Sequence, residues 1–253
     1  MSTIPGQKPK SVRTASDIKG PFPDLYLKLL RKENRLYDDA EVKELPGTFF
    51  YNLHRQEWSV REKSVARLLK YLDRETNEGE KFRLLDVGTG TGWMAAQVAG
   101  LEQWDVIGVD IVDTLLQQAA RVFPLPNLDF VLGDIFQEIF PRESFDVVLL
   151  FDSIQYFPNI SQLLERCKEY LKEGGEIHIL ESPLLLDKEQ ETAAQSVKAH
   201  YEQLGIPRMA DHHFFHTKSD IQPFDHQYLY RPGGLGGLFG RKDSEHPWLK
   251  MVK

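Results

Sequence analysis

From Phe82 to Glu181, short apolar runs alternate with amphipathic stretches of helical length, and no other feature limits the possible folds as tightly. This is the pattern of a parallel sheet covered by helices on both faces, because each parallel crossover needs a connection long enough to hold a helix. Strands are predicted at Phe82–Val87, Asp105–Val109, Leu128–Leu132, Phe145–Phe151 and Glu176–Glu181, with helices over 92–101, 113–123 and 160–171. The last of these helices aligns Leu163, Leu164, Cys167, Tyr170 and Leu171 on one stripe, which makes Cys167 a core thiol, and Gly174-Gly175 suits a left-handed helix end. His178 reads as a hydrogen-bonded core histidine. A helix over 188–204 and strands at Phe224–Tyr230 and Trp248–Val252 follow. The glycines from Gly233 to Gly240 lack the Gly-Lys-Ser/Thr ending of a phosphate loop, so they read as a flexible connector.

Ahead of the alternation, residues 1–22 carry no apolar period and read as a flexible tail. One helix is predicted between Pro23 and Pro46, with Tyr26, Leu29 and Leu30 on its inner face. Ser59 and Glu62 form a capping-box pattern ahead of Val65, Leu68, Leu69 and Leu72, so a second helix is expected to open there and run to Asp73.

Composition removes whole classes. With 253 residues the chain is long enough for a full α/β core. A single cysteine rules out an intramolecular disulfide. The formal net charge of −7 argues against a binder that relies on neutralising nucleic-acid phosphates. Val147–Phe151 is the longest apolar run, far below the roughly 20 residues of a membrane helix. No membrane insertion and no secretory leader are expected, and a cytoplasmic location follows.

The segment that carries chemistry is Leu84-Leu85-Asp86-Val87-Gly88-Thr89-Gly90-Thr91-Gly92-Trp93. An apolar strand runs into a turn with glycine at every second position, and a helix starts near Gly92. Glycine supplies unusual dihedrals and lets a ligand reach the backbone. A dinucleotide fingerprint beginning at Gly88 would need glycine where Trp93 stands. Asp86, two residues before the first glycine, disfavours a pyrophosphate and favours a ligand bearing positive charge.

This segment resembles the first motif of the class I S-adenosylmethionine-dependent methyltransferases, of the small-molecule, quinone-biosynthesis-like type. Later residues extend the resemblance in order: Val109-Asp110-Ile111, Gly133-Asp134-Ile135, the strand Phe145 to Asp152, and Leu171-Lys172-Glu173-Gly174-Gly175. Taken singly, Asp110 or Asp134 is explained as well by a turn or cap; the ordered set is not. The resemblance implies a Rossmann-like, doubly wound α/β sheet of seven strands, mostly parallel with an antiparallel last strand. Residues 81–253 would form the methyltransferase domain, with 184–222 inserted as substrate cover and 23–80 as a helical extension over the pocket.

S-adenosyl-L-methionine is the implied cofactor. Asp86, Gly88, Thr89, Gly90, Gly92 and Trp93 would cradle it, with Phe151 nearby. Asp110 would take the ribose hydroxyls, Asp134 with Gly133 the adenine amine, and Ile111 and Ile135 the purine faces. Arg61 would bring a cation to the cofactor carboxylate. Asp152, Tyr156 and His216 are the candidate catalytic residues, the last from the cluster His212, His213, His216. No established zinc spacing surrounds that cluster, so no metal is expected. The expected activity is in-line methyl transfer to a small-molecule acceptor, and the competing reading is a non-catalytic S-adenosylmethionine-binding sensor or scaffold.

Overall fold

The computed structural model describes residues 10–74, 79–233 and 243–253. Among the described residues eight strands form one sheet: β1 (Arg13–Thr14), β2 (Phe82–Val87), β3 (Trp104–Asp110), β4 (Leu128–Leu132), β5 (Phe145–Phe151), β6 (Leu171–Leu180), β7 (Gln227–Tyr230) and β8 (Trp248–Val252). Their order is β1-β4-β3-β2-β5-β6-β8-β7. Apart from the two-residue β1 at the edge, seven strands make up the sheet, and the last, β8, runs against its neighbours β6 and β7.

The period-two alternation of buried strands divides the core in two. Leu84, Val106, Leu128, Val147 and Leu149 point to one face. Leu85, Val109, Val131, Val148 and Leu150 point to the other. Helices α3 (Arg55–Arg74), α4 (Trp93–Ala99) and α5 (Asp113–Val122) cover the first face, through Val65, Leu68, Leu72, Val98 and Leu116. Helix α6 (Ile160–Tyr170) covers the second with Leu163, Leu164, Cys167 and Tyr170, beside the short α8 (Lys218–Ile221). A third cluster joins α1 (Phe22–Lys32) and α7 (Gln190–Gln203) to the 3-10 turn Pro207–His212 through Leu25, Leu29, Tyr201 and Met209.

Several boundaries depart from the sequence reading. Residues 10–22 are not a free tail: Arg13 and Thr14 pair with Val131 and Leu132, and Lys10 Nζ bonds Asp129 at 2.8 Å. The exposed edge of β4 supplies unpaired backbone groups, and this segment takes them up without needing an apolar pattern. The stretch before Pro46 holds two helices, because Asn34 takes φ +56° and Asp38 with Glu41 builds a capping box for α2 (Asp39–Glu44). Helix α3 starts at Arg55, so Ser59 lies within it and caps nothing; the earlier start brings Trp58 inward against Trp93 and Tyr37. Gly174 is left-handed, at φ +75°, but sits inside β6 after α6 has already ended at Tyr170. His178 is fully buried and accepts from Trp248 Nε1 at 3.0 Å. Most of the glycine-rich connector, from Gly234 to Gly240, lies outside the described residues.

Candidate active site

Strand order reverses beside β2, which pairs with β3 on one side and β5 on the other. Side-chain and backbone groups beyond the carboxyl ends of β2, β3, β4 and β5 therefore surround a crevice, the usual ligand position in an open α/β sheet. The crevice is a cleft of ≈ 700 Å³ lined by Gly88, Gly90, Asp110, Ile111, Gly133, Asp134, Ile135, Asp152 and Tyr156. It adjoins a second hollow, lined in part by Asp86, Thr89, Trp93, Phe151 and Arg61, which shares Gly88, Gly90, Tyr26, Asp152 and Tyr156 with it. Of the expected residues, only Gly92 and His216 stay outside both.

The three loop glycines have separate causes. A Cβ on Gly88 would stand 2.8 Å from Ser153 Cβ, so this glycine admits the β5 end. A Cβ on Gly92 would meet the Phe130 ring at 2.5 Å and Ala119 at 2.7 Å, so this one packs α4 onto the sheet. Gly90, at φ +55°, would place a Cβ in open space on the cleft side. It is the glycine that leaves room for a ligand.

Around this loop the carboxylates are held in place. Thr89 Oγ1 donates to Asp86 at 2.6 Å, and burial pushes the Asp86 carboxyl up to about 7. Asp110 accepts from Gly90 N at 2.8 Å and from Val112 N at 2.9 Å; burial raises its pKa while these amides oppose the shift. Asp134 accepts from Phe136 N at 3.0 Å, and its own amide donates to Ser16 Oγ at 3.0 Å. Asp152 sits at a left-handed position, φ +50°, bonded by Arg61 and by Gln155 Nε2. Burial raises its carboxyl and the Arg61 guanidinium opposes the rise. Arg61 also pairs with Glu57 at 2.9 Å and lies over Trp58, so any ligand carboxylate would compete with two side chains already bound.

His216 does not reach the cleft. It is buried, and its Nε2 donates to the carbonyls of Ile154 (3.0 Å) and Phe157 (2.9 Å), tying the 213–217 segment to the end of β5. It is a structural histidine, and the catalytic reading of it is corrected. Its neighbour His212 does line the cleft.

Other lining residues were not foreseen. Asp17 to Phe22 roof the cleft as the continuation of the β1 segment. Tyr26 of α1 faces Tyr156 edge-on at 5.2 Å, and Phe22 stands 5.6 Å from the same ring. Ser153 lines the cleft with its buried Oγ lacking any hydrogen-bond partner in the structure. Only Tyr26 had a signal, its place on the inner stripe of α1. Among the described residues no group of three or more His, Cys, Asp or Glu is placed to hold a metal ion.

Comparison with known proteins relates this geometry to methyltransferases. Residues 85–179 match a family profile described as a methyltransferase domain. Over this segment the chain is similar to S-adenosylmethionine-dependent methyltransferases, and the resemblance covers the strands and loops that line the cleft. A sterol 24-C-methyltransferase of Aspergillus fumigatus is 27% identical over 139 residues, covering 53% of this chain and 37% of that protein. A demethylmenaquinone methyltransferase of Chlorobaculum tepidum is 33% identical over 109 residues, covering 43% of this chain and 44% of that one. The chain thus spans about two fifths of these curated relatives. Magnesium protoporphyrin IX methyltransferase from Synechocystis PCC 6803, solved with bound SAH, shares the fold at a TM-score of 0.59 and 13% identity, over 91% of this chain and 99% of that one.

The methyltransferase cofactor, S-adenosylmethionine, fits the residues present. Gly90 keeps the loop open where a ligand must approach, and the unpartnered Ser153 hydroxyl offers a polar contact beside it.

Proposed function

We propose that the chain transfers a methyl group from S-adenosylmethionine to a small, largely apolar molecule. The single observation that carries the reading is one cleft lined at one end by the β2, β3 and β4 loops and at the other by aromatic rings. The first end suits a nucleoside: Asp110 keeps lone pairs for ribose hydroxyls, Asp134 for an exocyclic amine, and Ile111 and Ile135 flank a flat ring. Asp86 and Asp152 lend negative charge where the sulfonium and amino group would lie.

The sulfonium already makes the methyl electrophilic, so the chain's task is alignment and exclusion of water. The strap Asp17–Phe22 covers one side, while Tyr156 and Tyr26 wall the acceptor end. Burial raises the pKa of both phenols, so they remain neutral at physiological pH. The named relatives are a sterol 24-C-methyltransferase and a demethylmenaquinone methyltransferase, which supports a small acceptor over a nucleic acid, as does the net charge of −7. Among the described residues no helix is long and apolar enough to cross a membrane, and we place the enzyme in the cytoplasm. The proposed unit is one domain over 81–253 with 23–80 as helical cover.

Calorimetry with S-adenosylmethionine tests the cofactor half. Incubation with labelled donor and metabolite extracts tests the transfer. Donor binding without labelled product in any extract would instead leave the chain as a sensor.

A further inference from the structure

The acceptor end of the cleft contains a histidine that the mechanism above leaves unused. His216 is spent on two carbonyls. His213 has its Nδ1 on the Tyr201 hydroxyl at 2.8 Å, and burial pulls its imidazole down to about 4. His212 differs from both. It closes the turn Pro207–His212, lines the same cleft as Asp152 and Tyr156, and stands edge-on to Phe22 at 5.6 Å. Among the described residues it has no hydrogen-bond partner.

The other groups there are already engaged or carry their protons. Asp152 is bonded by both Arg61 and Gln155, and the Tyr26 and Tyr156 phenols keep their protons. The rings of Phe22, Tyr26 and Tyr156 lie 5.2 to 5.6 Å from one another and all three line the cleft, so they form an aromatic wall against which a flat ring can pack.

We propose that His212 is the proton acceptor of the transfer and that the methyl acceptor is a planar aromatic molecule bearing a hydroxyl group. The inference rests on the methyltransferase reading and narrows its substrate class. A hydroxyl enters neutral, whereas an ammonium would bring a second cation beside the sulfonium. In the step, the acceptor O–H bond breaks and its proton passes to an imidazole nitrogen of His212. The oxygen forms the O–CH3 bond as the S–CH3 bond breaks, and that bond's electron pair stays on sulfur. The positive charge lost by the sulfonium reappears on the imidazolium, so charge balances.

Other charged and titratable groups also face this end. Asp17 and Lys19 come from the strap, Tyr26 from α1, and Asp152 and Tyr156 from the β5 end. Asp211 and His213 flank His212 in sequence, and Tyr201 of α7 packs against the same turn.

The test uses labelled S-adenosylmethionine with 1-naphthol, 1-naphthylmethylamine, which is an ammonium at neutral pH, and naphthalene. Label should enter 1-naphthol. His212→Ala should lower its kcat about 100-fold or more, remove the ascending limb of the pH–rate profile, and regain rate with added imidazole. Donor affinity of the variant should stay within about twofold, which shows that it is folded. In protein loaded with S-adenosylhomocysteine, 1-naphthol binding followed by fluorescence should weaken about tenfold or more in the variant, with naphthalene binding unchanged. Label entering the amine but not the naphthol, no label in the naphthol, or an unchanged pH profile in His212→Ala each overturns the proposal. Failure of the wild-type protein to bind the donor, seen before any acceptor is added, overturns the methyltransferase reading itself.

Discussion

Gly88, Gly90 and Gly92 stand at alternate positions of one loop, yet each is glycine for its own reason, so substitutions there should separate stability from binding. A methyl on Gly92 has to displace the Phe130 ring and Ala119, both under 3 Å from it. Gly92→Ala should therefore cost roughly 2–5 kcal/mol in chemical denaturation, because the overpacking adds to the cost of its own positive φ of +71°. A Cβ on Gly90 meets no protein atom within 4 Å, so Gly90→Val mainly fills the ligand's space. Its stability loss should be about 1–2 kcal/mol, from the positive φ alone, while donor affinity falls about tenfold or more. Equal losses of stability in the two variants would contradict this division. Asp110 offers a companion measurement. Its carboxylate is fixed by the amides of Gly90 and Val112, which orients the remaining lone pairs. Asp110→Ala should weaken the donor about tenfold, or ~1.4 kcal/mol, and calorimetry showing no loss would remove the ribose assignment.

The strap over residues 10–22 bears on the site as a single element. It is held at the sheet edge by Ala15 N to Leu132 O at 2.8 Å, by Ser16 on the Asp134 amide and by Lys10 on Asp129, and it roofs the cleft from Asp17 to Phe22. Few apolar side chains anchor it, which is the mark of a segment that opens locally. A chain starting at Phe22 should keep its fold but release the donor about tenfold faster, as stopped-flow displacement would read. An unchanged release rate would mean that the strap does not cover the bound ligand.

This element also marks where the sequence stops being legible. Strands β2 to β6 and helices α4 to α6 are readable because their apolar periods match burial on two faces, and the positions of Asp110 and Asp134 beside the cleft because the ordered motifs of the resemblance put them just past strand ends. The strap could not be read, since an edge strand needs only backbone groups and leaves no side-chain period. The start of α3 was misplaced because burial of Trp58 against Trp93 outweighs the local cap at Ser59. His216 and His212 are alike in sequence; what separates them is the pair of carbonyls near the β5 end that claims one and not the other.

At the scale of the molecule, the fold gathers carboxyls from the ends of three different strands around the cleft and its adjoining hollow, and burial shifts Asp86, Asp110 and Asp152 in the same direction. For Asp86 the pKa rises from 3.8 in the unfolded chain to about 7. A raised carboxyl pKa means that the folded state binds more protons than the unfolded state between those values. Its contribution to stability is therefore fully present below 3.8 and is lost as the pH climbs through about 7. Carboxyls lowered by their partners, such as Glu57 beside Arg35 and Arg61 or Glu176 beside His178 and Lys250, act oppositely and give way in acid. A bound cation reverses the first effect, because it favours the ionised cleft. S-adenosylmethionine should thus raise the melting temperature more at pH 7.5 than at pH 5.5, and its binding near pH 6.5 should release a fraction of a proton, visible in calorimetry across buffers of different ionisation heat. Asp86→Asn should flatten the dependence, since the amide cannot ionise. A melting-temperature gain that is equal at the two pH values in the wild-type protein would show that the carboxyls at these strand ends do not face the cationic part of the ligand.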